Sequence, residues 1–167
     1  MFRGMRRKNQ QLSAAACEDI LRRSTAGVLA LSGDEGYPYA VPMSYVYADG
    51  QLYFHSAKSG HKLDAIARCA KASFCVVDKD EIVPAEYTTY FRSVIVFGRM
   101  RVLTEDGERR AAMEALAVKY APQENAAHRA EAIEREWTPL CVMMMEVEHM
   151  TGKEAIELVR ARNNTEG

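Results

Sequence analysis

The segment Thr88–Leu103 is a run of sixteen residues dominated by Val, Ile, Tyr, Phe and Thr. These β-branched and aromatic types fit a pleated, half-buried surface. A flat strand rarely exceeds about ten residues, so a β-segment of this length has to bend. Gly98 is where a bend or bulge is expected. Five further segments have β character. Val28–Leu31 is a short apolar run. Tyr39–Tyr47 places Tyr39, Val41, Met43, Tyr45 and Tyr47 on one face, with Ala40, Pro42, Ser44 and Val46 on the other. Asp49-Gly50 is a two-residue hairpin signal leading into Gln51–Ser56, and the first three strands are expected as an antiparallel meander. Ala72–Val77 and Cys141–Met150 complete the set, while Lys79–Glu86, with Pro84 inside it, is expected as a loop.

Helical signals are fewer. Ser13 caps a first helix carrying Glu18, Asp19, Ile20 and Leu21, and the acidic residues suit its positive end. Ser59-Gly60 opens a second, with Leu63, Ile66 and Ala67 as its stripe. Two more follow the long β-segment, marked by Met113, Leu116 and Tyr120 and by Ala130, Ile133 and Trp137, with Pro122 and Pro139 closing them off. About six strands with few intervening helices predict a mainly β fold, an antiparallel β-barrel with flanking helices rather than a parallel sheet.

The 167 residues, 48% hydrophobic, are enough to bury one core, and one domain spanning 1–167 is expected, with an N-terminal arm over 1–12 and a C-terminal tail over 160–167. The net charge of -1 supplies no general pull toward nucleic acid. Arg3, Arg6, Arg7 and Lys8 form a basic cluster with no apolar run behind it, read as a solvated arm rather than a signal peptide. No run is long or apolar enough to span a bilayer, so the cytoplasm is the expected compartment and no membrane partner is expected. Cys17, Cys69, Cys75 and Cys141 form no C-x-x-C pair and read as scattered small hydrophobes.

Two segments carry chemistry. His55-Ser56-Ala57-Lys58-Ser59-Gly60-His61-Lys62 joins a strand end to a helix start. Cations in a first helical turn oppose the macrodipole, by about 0.3–1 kcal/mol. An anion would meet free N–H groups near Gly60 and His61, hydroxyls of Ser56 and Ser59, and the ammonium groups of Lys58 and Lys62. These residues fit a phosphate cradle, and they also fit a Ser-capped surface helix with solvated lysines. The spacing is not that of a nucleoside triphosphatase loop. In Val41-Pro42-Met43-Ser44-Tyr45, the proline removes a ladder donor. That marks either a simple edge strand or a place where freed backbone meets a planar ligand. His55 and His61 lack a third ligand at a fitting spacing, so no metal is expected. Glu146, Glu148 and His149 read as the polar face of a strand. Thr151-Gly152-Lys153 reads as a strand-to-helix turn, and Trp137 and Met143–Met145 as core or interface.

The order of these segments resembles the pyridoxamine phosphate oxidase-like superfamily, and within it the nitroimidazole-resistance group. The resemblance is carried by Gly36–Tyr45, Leu52–Ala57, Gly60-His61-Lys62, Tyr90–Gly98 and His149–Lys153. It implies an FMN-binding, six-stranded split barrel working as a homodimer with the flavin between subunits. The phosphate would rest on Ser56, Ala57 and Lys62, with Lys58, Gly60 and His61 beside it. The ring would lie along Pro42, Met43, Ser44 and Tyr45. Thr89, Tyr90 and Trp137 would contribute across the interface. FAD is the alternative cofactor, and haem with His149 as ligand is a third possibility within such barrels. The implied activity is an oxidoreductase acting on a small, nitroaromatic-like substrate, with a non-catalytic flavin carrier as the other reading. No dedicated nicotinamide domain is expected, because the Rossmann glycine fingerprint is missing. No side-chain acid or base is assigned, and His55 is the first to test.

Overall fold

The computed structural model describes residues 1–165. Helix α1 (Ala14–Arg23) precedes strands β1 (Ala26–Ser32), β2 (Pro38–Ser44), β3 (Val46–Ala48) and β4 (Gln51–Ala57). Helix α2 (His61–Arg68) leads to the long hairpin β5 (Lys71–Val83) and β6 (Thr88–Val102). Helices α3 (Asp106–Tyr120) and α4 (Ala126–Glu136), strand β7 (Leu140–Glu154) and helix α5 (Ile156–Thr165) complete the chain. The seven strands form one antiparallel sheet in the order β2-β1-β5-β6-β7-β4-β3. Among the described residues, no helix is long and apolar enough to cross a membrane.

The Tyr39–Tyr47 segment is two strands, which overturns the expected meander. β2 pairs with β1, while β3 pairs with β4 through the Asp49-Gly50 hairpin. These two strands form opposite edges of the sheet, yet only Tyr45 separates them in the chain. Consecutive Cα atoms lie about 3.8 Å apart, so the sheet has to curl until its edges nearly meet. A split barrel follows from that one connection, with seven strands where six were expected.

Other elements also depart from expectation. The stretch expected as a loop, Lys79–Glu86, mostly continues β5, with a register shift between Val77 and Lys79. Pro84–Glu86 forms the turn into β6. Thr151-Gly152-Lys153 stays in β7 instead of turning into a helix. α5 takes up most of the expected tail, and Glu166 and Gly167 lie outside the described residues. At the other end, Gln10 and Leu12 are buried. The Gln10 side-chain amide donates to the Glu154 carbonyl at 2.9 Å.

Three expectations hold. Ser13 caps α1, its hydroxyl accepting from the Ala16 N–H at 3.2 Å. Glu18 and Asp19 sit beyond the first turn, where they pair with Arg22 and Arg23 one turn on. Pro42 lies on an edge strand, where a proline is tolerated. Gly98 marks a bulge. The register slips between Phe97↔His149 and Gly98↔Val147, and a Cβ at residue 98 would collide with the Glu146 carbonyl oxygen.

The barrel interior is built around Tyr45, Phe54 and Phe74. The Tyr45 and Phe54 rings meet Phe74 edge-on at 4.8 and 5.2 Å. A second, smaller cluster lies outside the barrel, where Leu103, Val142 and Met144 pack beneath Ala112 and Met113 of α3.

Candidate functional site

β4 delivers His55, Ser56 and Ala57 to the start of α2. Gly60 is the residue before the helix, at φ +127, a conformation that side chains rarely adopt. It provides no side-chain cap; the Leu63 and Asp64 N–H groups donate to its carbonyl at 2.9 and 3.2 Å, which leaves the His61 and Lys62 N–H groups, among the described residues, without a protein acceptor. Lys62 is half-buried there, and burial pushes its pKa down. Among the described residues, neither Lys58 nor Lys62 has a carboxylate within salt-bridge distance. An ammonium that is partly desolvated, unpaired and set against a helix N-terminus is an environment that an anion would relieve.

Not every expected member joins the cradle. The Ser56 hydroxyl donates to the Ala57 carbonyl at 2.9 Å. His61 turns toward the β1–β2 turn, with its Nε2 3.5 Å from Asp34 and its ring stacked on Tyr39 at 4.1 Å. A cation that sequence reading missed stands nearby. Arg109 of α3 and Lys58 line a cavity of about 410 Å³ together with Thr104, Leu63, Leu140 and Cys141. Asp106 holds Arg109 at 2.9 Å, and Arg109 also donates to the Leu140 carbonyl at 3.3 Å. Burial raises the Cys141 thiol pKa, against the opposing pull of Arg109, Lys62 and Lys58.

The expected ring segment narrows. Met43 and Tyr45 point into the barrel, Tyr45 at 0% exposure, so their side chains serve the core. The Tyr45 phenol donates to the Leu21 carbonyl at 2.8 Å. Its backbone is not free either. The Tyr45 N–H donates to the Tyr120 hydroxyl at 2.8 Å, and that hydroxyl also reaches the Tyr45 and Thr25 carbonyls. Pro42 and Ser44 remain on the outer face.

Ser44 and His55 come from different segments, yet they line one cleft of about 480 Å³. Its roof is Met113, Leu116 and Tyr120 of α3 with Ala132 and Ile133 of α4, and Glu136 stands at the rim. Partial desolvation, then the neighbouring Lys62, push the His55 pKa down, which favours the neutral imidazole. The remaining expected residues lie elsewhere in this chain. Thr89 and Tyr90 sit in the part of the β5–β6 hairpin that extends past β1, and the Tyr90 hydroxyl donates to Glu86 at 2.9 Å. Trp137 follows α4, with the guanidinium groups of Arg109 and Arg110 4.1 and 4.7 Å from its ring centre.

A profile of the pyridoxamine 5'-phosphate oxidase family matches residues 13–154. The chain belongs to that family. Solved structures agree on the split barrel. A putative 5-nitroimidazole antibiotic resistance protein from Bacteroides thetaiotaomicron is 22% identical, with 86% of each chain covered and a TM-score of 0.71. An FAD-binding protein from Mesorhizobium loti is 27% identical over 87% of this chain and 97% of its own, with a TM-score of 0.64. An FAD and haem binding protein from Mycobacterium smegmatis is 22% identical over 87% of this chain and 73% of its own, with a TM-score of 0.72. No curated protein sequence matches the chain.

In this member of the pyridoxamine 5'-phosphate oxidase family, the outer face of β1, β2, β5 and β6 carries an apolar row that no helix covers, with only the Phe2 ring lying over Phe97, at 5.5 Å. Pro42, Val28, Cys75 and Ile95 succeed one another across four strands. Val28, Ile95 and Phe97 are 39%, 39% and 37% exposed, and Val77 is 63% exposed. The roof residues and Arg109 were visible in the sequence only as helix markers and surface charge, since nothing local tells which strand a distant helix will cover.

Proposed function

We propose that this chain binds a flavin nucleotide, FMN in the first instance, and acts as an FMN-dependent oxidoreductase on a small molecule, with a second copy closing the site as a homodimer. The observation that carries the reading is Lys62, half-buried and unpaired at the uncapped start of α2. A terminal phosphate there would be held by the ammonium groups of Lys62 and Lys58 and by the N–H groups of His61 and Lys62. Pro42 and Ser44 would lie against the ring. The bare apolar face supports docking of a second copy, because a monomer seldom leaves a contiguous apolar surface of this kind in water.

When bound, the flavin supplies hydride or single-electron transfer, and the protein supplies position, electrostatics and access. Its lowered pKa favours the neutral form of His55, which can donate or accept a hydrogen bond beside the ring. Lys62 and Lys58 neutralise the phosphate. The partner copy excludes water from the bare face. Two of the similar structures are described as FAD-binding, which keeps FAD as the alternative.

The visible spectrum of freshly purified protein tests the reading, with mass spectrometry of whatever heat releases. A two-band flavin spectrum with FMN released supports it. A colourless protein that takes up neither FMN nor FAD ends it. Turnover with NADH or NADPH and a nitroaromatic acceptor then tests the nitroreductase-type activity, and a carrier would show none.

A further inference from the structure

The cleft beneath α3 and α4 and the cavity beside Lys58 are neighbours with opposite characters. Leu140 lines both. On one side stand Lys58 and Arg109. On the other, the walls are Met113, Leu116, Ala117, Ala132 and Ile133, and among the described residues the one charged group in the lining is Glu136. Glu136 is itself paired with Arg135 at 3.6 Å, so what an anion entering this second cleft would chiefly meet is an apolar wall. At about 480 Å³ it lies within the range of small-molecule sites. Its polar equipment is short. The Tyr120 hydroxyl is committed to backbone groups of Thr25 and Tyr45. That leaves the Ser44 hydroxyl and the His55 imidazole, and among the described residues neither side chain has a protein hydrogen-bond partner.

We propose that this cleft is the substrate pocket, and that it takes an uncharged, largely apolar molecule hydrogen-bonded to His55 and Ser44. The proposal rests on the flavin reading, because Ser44 and His55 are what connect the cleft to the ring and phosphate segments. The charges divide the labour. The cationic cavity holds the anionic end of the cofactor, and the apolar cleft selects a neutral partner for its ring. The apolar walls discriminate against carboxylates and phosphates, because they give no compensation for desolvating them.

The test uses two probes of the same shape, naphthamide and naphthoate, titrated calorimetrically into the purified full-length protein with flavin content recorded for each sample. Naphthamide is expected to bind about tenfold or more tightly than naphthoate. Ala132→Phe, which fills the cleft from α4, is expected to weaken naphthamide about tenfold while flavin content and circular dichroism stay unchanged. Glu136→Lys alters an exposed rim position and is expected to narrow the gap between the probes, which keeps the test open should Ala132→Phe fold poorly. Naphthoate binding as tightly as naphthamide, or Ala132→Phe binding naphthamide like the parent, overturns the pocket. Flavin present with no naphthamide binding sinks the pocket and leaves the flavin reading standing. Naphthamide binding that Ala132→Phe abolishes in a protein that takes up no flavin keeps a neutral-ligand cleft and removes its assignment as a flavin-linked substrate site.

Discussion

The outside of this barrel has two halves that the chain treats differently. Both carry outward-facing apolar residues. On β4 and β7 they are Tyr53, Leu140, Val142 and Met144, and α3 covers them, so Val142 is fully buried although it lies outside the barrel. On β1, β5 and β6 they are Val28, Val77, Ile95 and Phe97, and each is more than a third exposed. A sheet with apolar residues on both faces needs cover on both. This chain supplies its own cover for one half. The other half is where a second copy is proposed to sit. The two segments proposed to hold the ligand approach each other where Ser44 and His55 line one cleft, with Pro42 in the uncovered row.

The sharpest way to break this comparison is to make the same change on each side. Leu103→Ala, under α3 and 3% exposed, should cost about 2–5 kcal/mol. Ile95→Ala should change monomer stability by no more than about 0.5 kcal/mol. Urea denaturation at protein concentrations low enough to favour monomer measures both. Similar losses at the two sites would mean that the bare half is already covered.

The next effect is on assembly. Ile95→Glu puts a charge in the centre of the bare face and should weaken a homodimer about a hundredfold, with flavin lost in parallel. Sedimentation over a concentration series reads the first and absorbance the second. An unchanged dimer would place the interface elsewhere. A smaller effect belongs to the cradle. Lys62→Ala should lower flavin affinity about tenfold, and the His55 pKa should rise because the repelling ammonium is gone. Flavin titration and imidazole proton shifts in NMR check the two results separately, and an unmoved affinity would remove Lys62 from the phosphate site.

Much of this arrangement was legible from local chemistry. Alternation from Tyr39 to Tyr45 correctly gave the inward face, because a half-buried strand has a period of two. The same alternation hid the break after Tyr45, since Val46 and Tyr47 are equally good strand residues. What breaks the strand is distant. The Tyr120 hydroxyl, from α3, takes the backbone hydrogen bonds of Tyr45. Lys79–Glu86 read as a loop because its charges mask a hairpin. There Lys79 and Glu81 share a face and pair across it at 2.6 Å. The proposed cradle could be read from sequence because its groups are contiguous. The convergence of Ser44 with His55 could not, because it depends on β2 and β3 ending at opposite edges of a curled sheet.

Lys119 gives the finest test of how dry the covered side is. It extends from α3 to within 4.1 Å of the Tyr45 ring centre and 3.4 Å of the Leu21 carbonyl. Burial pulls its pKa down to about 8 from an ordinary 10.5. Between those values the unfolded chain holds the proton and the folded chain has released it. Stability contributed by this group therefore rises with pH across that window. Below about 8 both states are protonated, and the folded state bears the full cost of the half-buried ammonium. Lys119→Met keeps the apolar stem and removes the charge. Its stability relative to the parent should be most favourable at about pH 7, and the advantage should shrink as pH rises from about 8 toward about 10.5. Paired urea titrations of the two proteins at about pH 7 and about pH 10 measure the change, and subtracting one from the other cancels the tyrosines and cysteines that titrate in the same range. A difference that does not vary with pH would mean that solvent reaches Lys119 freely and that α3 seals its half of the barrel no better than solvent covers the other.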